Sequence, residues 1–215
     1  MTNAEILSHI DHTILKPDAK WEDVMQICEE ALQYHTASVC IPPWYVGQAK
    51  KAFPALNICT VVGFPLGYEE TAAKAQEAEL AIAAGAREID MVINIAALKN
   101  GDDAAVLEDI KALRTACQTA ILKVIVETCC LTEDEKIRVC RLVTEAGADY
   151  IKTLTGFGSA GAQLEDIALF RAHIGPDVKI KAAGGIRTRE QMEAFLDAGC
   201  DRIGCSAARI LFAEA

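Results

Sequence analysis

Short apolar runs rich in β-branched residues recur along this chain and alternate with segments whose apolar positions repeat at a helical period. The pattern predicts strands at residues 37–41, 56–62, 87–94, 120–127, 149–153, 178–182 and 201–204. Between them lie amphipathic stretches such as 69–85 and 131–147, each starting near Thr, Glu or Asp and ending at a glycine able to take a left-handed cap. One joint repeats: Ala84-Gly85-Ala86, Ala146-Gly147-Ala148 and Ala198-Gly199-Cys200 each run straight into a strand. A doubly wound open sheet uses the same alternation, so the strand count decides. Ile10 to Leu15, between a short N-terminal helical stretch and a helix around 21–34, supplies an eighth strand. The expected fold is α/β, a small single-domain TIM (β/α)8 barrel spanning residues 1–215. No G-x-G-x-x-G follows an early strand, which argues against a nicotinamide-binding sheet.

Composition narrows the function classes. With 215 residues, 52% of them hydrophobic, the chain is long enough for one large core. Lys and Arg number 21 against 31 Asp and Glu, a net charge of −10, and no basic run interleaves with aromatics. Nucleic acid and anionic membrane are therefore not expected as partners. No apolar stretch reaches the roughly 18 residues of a membrane span. Nine cysteines are scattered through apolar runs, with only Cys129 and Cys130 adjacent. An odd count without C-x-x-C or a signal peptide points to reduced thiols in a cytoplasmic protein. His9, His12, His35 and His173 lie at no metal-ligand spacing, so no metal is expected.

In a barrel the active face lies at the carboxyl ends of the strands, where the polar residues are Asp11, Cys40, Asp90, Asn94, Lys123, Glu127, Lys152 and Lys181. Lys152, in Y-I-K-T-L-T-G-F-G, and Lys181, in V-K-I-K-A-A-G-G-I-R-T, each close an apolar run and precede glycines. An ammonium there is costly to desolvate, and a second one nearby disfavours it further, which makes a free amine accessible for Schiff-base chemistry. The plainer reading has both lysines extending their charge into solvent. Lys179 shares parity with Lys181 but sits a pleat lower. Asp90 lies in an otherwise apolar strand and needs a partner, either as a proton-relay carboxylate or as half of an ion pair with Lys123 or Lys181. Lys123 and Glu127 read as a lumen charge pair, and Cys40 as a buried thiol. His12 beside Asp11 resembles half of a triad, but no G-x-S-x-G elbow accompanies it.

Glycine-rich ends form a second group: Thr155-Gly156-Phe157-Gly158, Gly184-Gly185, and Gly204-Cys205-Ser206 opening a last helix. Small residues let backbone N–H groups approach an anion, and barrels commonly hold phosphate on the last two strand loops. The stiff loop Val62-Gly63-Phe64-Pro65-Leu66-Gly67 either walls a pocket or simply turns the chain.

Taken in order, I-D-H-T-I-L-K-P (10–17), V-V-G-F-P-L-G (61–67), E-I-D-M-V-I-N (88–94), L-K-V-I-V-E-T (122–128), A-G-A-D-Y-I-K-T (146–153), K-A-A-G-G-I-R-T (181–188) and R-I-G-C-S-A (202–207) resemble the class I deoxyribose-phosphate aldolases over nearly the whole chain. The resemblance implies a TIM barrel that reversibly cleaves 2-deoxy-D-ribose 5-phosphate to acetaldehyde and D-glyceraldehyde 3-phosphate with no cofactor. It places the Schiff-base lysine on Lys152, the second lysine on Lys181 and the relay aspartate on Asp90. Phosphate-binding positions fall on Gly156, Gly184, Gly185, Gly204 and Ser206. Partners are then small sugar phosphates and aldehydes, and a homo-oligomer, dimer or tetramer, is expected. Leu154 and Ala183 depart from the family pattern, as does Cys205 where threonine is usual; each removes a hydroxyl near the lysine or the phosphate. Two rival readings are a lysine aldolase with a ketose donor and a silent barrel that only binds sugar phosphate.

Overall fold

A computed structural model describes residues 1–214. The strands are β1 (Ile10–Thr13), β2 (Ser38–Cys40), β3 (Ile58–Val62), β4 (Glu88–Val92), β5 (Ile121–Ile125), β6 (Tyr150–Lys152), β7 (Lys179–Ala183) and β8 (Arg202–Cys205). All pair in parallel and in sequence order, and β8 returns to β1 through Ile10 opposite Ile203, so the sheet closes into the expected eight-stranded barrel.

The helices are α1 (Asn3–Leu7), α2 (Trp21–Gln33), α3 (Val46–Ala52), α4 (Thr71–Ala84), α5 (Ile95–Lys99), α6 (Asp103–Ala116), α7 (Glu133–Glu145), α8 (Leu164–His173) and α9 (Arg189–Asp197). Local chemistry sets their ends. α7 opens on a capping box, in which the Thr132 N–H donates to Glu135 and the Glu135 N–H to Thr132 Oγ1. α4 stops at Gly85, whose φ of 115° lies in the left-handed region, and the chain turns at once into β4. After β8 the chain forms not an α-helix but a 3-10 helix, Ala208–Glu214. No helix among the described residues is long and apolar enough to cross a membrane.

Alternation along each strand divides the interior. Ile58, Ile89, Met91, Leu122, Val124, Ile151, Ile180 and Ile203 belong to the main apolar core with the helices, whereas Cys40, Cys59 and Val61 form a separate small apolar cluster. Many of the remaining inward positions carry charge.

Candidate active site

Asp11, Glu88, Asp90, Lys123, Lys152, Lys181 and Arg202 project into the barrel, and all are buried except the half-buried Arg202. Burial of so many ionisable groups is tolerable only if each finds partners. Asp90 Oδ2 accepts from Lys152 Nζ at 2.7 Å and from Lys181 Nζ at 2.6 Å, while Oδ1 accepts from Lys123 Nζ at 2.9 Å. Lys181 Nζ also donates to Asp11 Oδ2 at 2.5 Å. Arg202 Nη1 lies 2.5 Å from Asp11 Oδ1 and 3.1 Å from Glu88 Oε2, and Lys123 Nζ lies 2.5 Å from Glu88 Oε2. Asp11 Oδ1 also accepts the Ser38 hydroxyl at 2.7 Å.

This wiring fixes charge states. Burial alone would raise the Asp90 carboxyl, but Lys123, Lys152 and Lys181 outweigh it and hold it well below the usual carboxylate range. Asp11 is likewise held low against burial, by Lys181, Lys123 and Arg202. For Lys181 burial works downward, and the carboxylates of Asp11 and Asp90 overcome it, so this side chain is a firmly held ammonium. Lys123 is raised in the same way, chiefly by Asp90 against burial. The ion pair expected for Asp90 forms with both Lys123 and Lys181, and Lys152 joins it.

Above the network opens a cavity of about 600 Å³, a size suited to a small ligand. Lys152, 3% exposed, lines it, whereas Asp90 and Lys181 are fully buried beneath. Gly156, Gly184, Gly185, Gly204 and Ser206 all line it, as do Lys16, Arg187 and Arg209. Gly184 and Gly185 have φ of 98° and 75°, a left-handed pair that a side chain would strain. Leu154 is fully buried beside Gly184, and Cys205 donates its thiol to Ile186 O at 3.3 Å. Lys179 is exposed, with Nζ 5.8 Å from the Tyr150 ring.

Several expectations are corrected. Lys123 and Glu127 do not pair: Lys123 turns to Glu88 and Asp90, while Glu127 lies beyond the end of β5 with φ of 54°, which breaks the alternation and carries its carboxylate to the Thr155 N–H at 2.7 Å. Asn94 likewise falls outside β4, and its Oδ1 caps α5 by accepting the Ala97 N–H at 3.1 Å. His12 turns away from Asp11, and its Nε2–H donates to Glu30 at 2.8 Å; burial pulls its pKa below the usual histidine value. Cys40 is a fully buried thiol opposite Cys59 in the β2–β3 register. Sequence reading missed Glu88, Cys59 and Arg202. Glu88 shares parity with Asp90, and Arg202 with Gly204, which was the available signal.

The arrangement, a cavity-facing amine backed by a fixed carboxylate and a fixed ammonium, equips the barrel for nucleophilic amine chemistry. Comparison with known proteins points the same way. Residues 6–208 match the model of the DeoC/LacD family aldolases. The chain is 58% identical to a deoxyribose-phosphate aldolase of Clostridium botulinum (strain Alaska E43 / Type E3), over 97% of this chain and 95% of the relative. It is 51% identical to one from Clostridioides difficile, over 94% and 92%. Among solved structures, the tetrameric deoxyribose phosphate aldolase of Aeropyrum pernix superposes with a TM-score of 0.91 at 28% identity, covering 99% of this chain and 91% of that one. Orotidine 5'-phosphate decarboxylase of Pyrococcus horikoshii, at 12% identity and a TM-score of 0.67, shares the fold alone. With its family model and its relatives matching over nearly the full length, this chain belongs to the DeoC/LacD aldolase family.

Proposed function

We propose that this aldolase reversibly cleaves 2-deoxy-D-ribose 5-phosphate to acetaldehyde and D-glyceraldehyde 3-phosphate through a Schiff base on Lys152. The observation that carries the proposal is the shared oxygen: Lys152 and Lys181 both donate to Asp90 Oδ2, at 2.7 and 2.6 Å, and Lys152 also borders the cavity. The carboxylates of Asp11, Glu88 and Asp90 are matched by Lys123, Lys181 and Arg202, so electroneutrality of the lumen does not require a charge on Lys152.

Neutral Lys152 attacks C1 of the open-chain sugar, and the carbinolamine loses water to give a protonated imine. Removal of the C3 hydroxyl proton breaks the C2–C3 bond, releases D-glyceraldehyde 3-phosphate and passes the electron pair into an enamine. Protonation at C2 and hydrolysis free acetaldehyde and return the amine. Asp90 and Lys181 carry the proton transfers, because a hydrogen-bonded route between the two amines runs through one oxygen. Gly156, Gly184, Gly185, Gly204 and Ser206 hold the phosphate, aided by the cations Lys16, Arg187 and Arg209 on the same cavity wall.

Incubation with acetaldehyde and sodium borohydride, followed by peptide mapping, tests the reading. A reduced two-carbon adduct confined to the Lys152 peptide is the expected result; label scattered over surface lysines, or none, overturns it. We also propose a homo-oligomer, supported by the tetrameric Aeropyrum pernix relative and by Trp44, 87% exposed on the monomer. A monomeric sedimentation coefficient at working concentration would oppose that.

A further inference from the structure

We infer that Glu127 is a positioning residue: its carboxylate fixes the loop following Lys152 and thereby sets how tightly the phosphate end of the substrate is held. The inference rests on the aldolase reading above and extends it to a residue that does not touch substrate. Glu127 has φ 54° and ψ 64°, a left-handed conformation uncommon outside glycine, and its side chain is almost wholly buried. Its Oε2 accepts the Thr155 N–H at 2.7 Å, and its Oε1 accepts the Cys129 thiol at 3.6 Å. A second tie runs parallel, from the Thr128 N–H to Thr153 O at 3.0 Å.

From Thr155 the ordering continues outward. Its Oγ1 accepts the Phe157 N–H at 3.0 Å, and the Phe157 ring meets Phe64 edge to face, with centroids 5.4 Å apart. Glu127, Thr155, Phe157 and Phe64 thus link the ends of β5, β6 and β3 along one side of the rim. Thr155, Gly156 and Phe157 all line the cavity. Gly158 closes over the carboxylate from outside: an added Cβ would collide with Glu127 Oε1 and stand 2.9 Å from Cys129 Sγ. A strained backbone, a buried carboxylate and a side-chain-free neighbour therefore converge on one loop.

The experiment compares Glu127→Ala, Glu127→Gln, Gly158→Ala and the Glu127→Ala/Gly158→Ala double variant with wild type. Steady-state cleavage of 2-deoxyribose 5-phosphate is measured alongside borohydride trapping of acetaldehyde. Glu127→Ala is expected to raise KM about tenfold or more while kcat stays within about threefold and Lys152 traps acetaldehyde as in wild type. Gly158→Ala, which presses on the same carboxylate from a surface loop, reproduces the KM rise and keeps the test valid if Glu127→Ala does not fold. Glu127→Gln retains an oxygen for the Thr155 N–H and restores KM to within about threefold of wild type. The double variant is no worse than Glu127→Ala alone, because both act through one contact. Unchanged KM in Glu127→Ala and Gly158→Ala overturns the inference, as does a Glu127→Gln enzyme with lost kcat and a shifted pH profile, which would make the carboxylate a proton-transfer group. Wild type that traps no acetaldehyde on Lys152 instead overturns the aldolase reading, and this inference with it.

Discussion

Lys152 and Lys181 stand directly opposite each other on β6 and β7 and reach the same oxygen of Asp90, yet they are held unequally. Lys181 is clamped by a second carboxylate, Asp11, whereas Lys152 pairs, among the described residues, with Asp90 alone and faces the cavity. One amine is anchored by two carboxylates; the other is held by one and borders the cavity.

That inequality separates two variants. Lys152→Leu should lose on the order of 10⁴-fold or more in turnover, with little change in stability because Asp90 keeps Lys123 and Lys181. Lys181→Leu strips both Asp11 and Asp90 of a buried partner and should destabilise the fold by about 3–5 kcal/mol besides losing most of the rate. Urea unfolding of the two proteins decides the matter; equal midpoints would contradict the difference in clamping.

The lumen charges also predict a stability plateau. Asp11 and Asp90 have folded pKa values below their unfolded ones, so their contribution is fully present above about pH 4 and disappears as pH falls through the lower folded values. Lys123 and Lys181 have folded values above their unfolded ones, so theirs is fully present below about pH 10 and is lost as pH rises through the higher values. Melting temperature measured against pH should be nearly flat between these limits as far as this cluster is concerned, and should fall outside them. A steep slope between pH 5 and about 6, outside the range of either set, would point to a different controlling group.

Gly204 is small for a stated reason. A Cβ there would lie 2.9 Å from Ala183 Cβ and 3.1 Å from Lys181 Cε. Gly204→Ala should push the Lys181 stem away from Asp90 and lower kcat about tenfold or more, with a stability loss of only about 1–3 kcal/mol. Wild-type kcat in this variant would show that Lys181 tolerates displacement.

Away from the site, Lys74 on α4 is fully buried and donates to Asp109 on α6 at 2.8 Å and to Val92 O at the end of β4 at 3.0 Å. Lys74→Met should destabilise by about 3–5 kcal/mol by leaving Asp109 uncompensated, while the folded fraction keeps its kcat. Calorimetry paired with an activity assay on the same sample checks both halves.

The strands were legible because their signal is local: alternation, β-branched content and the repeated Ala-Gly joint all lie within a few residues. The short helices α3 and α5 were not singled out, since five or seven residues between strand and next element leave little periodicity to read. Lys152, Lys181 and Asp90 stood out as charges in apolar runs, whereas their wiring did not. Lys181 meets Asp11 across 170 positions of sequence, a contact set by barrel closure and not by any nearby pattern. Glu127 was misassigned because parity holds only while the backbone stays extended, and its left-handed turn lies one residue past Val126.

A barrel interior held by interlocking charges resists alteration one charge at a time, Lys152 excepted, since Asp90 keeps two other cations without it. Exchanging any of Asp11, Glu88, Asp90, Lys123, Lys181 or Arg202 singly takes a contact from at least two partners and leaves the buried charge unbalanced, so interior variants of these six are best made as compensated sets. The rim loops are tied differently, by backbone contacts and single carboxylates such as that of Glu127 on the Thr155 N–H, and not by a mesh of opposite charges. Changes that shift substrate range are therefore better sought at the rim, where a single exchange leaves the buried charges balanced.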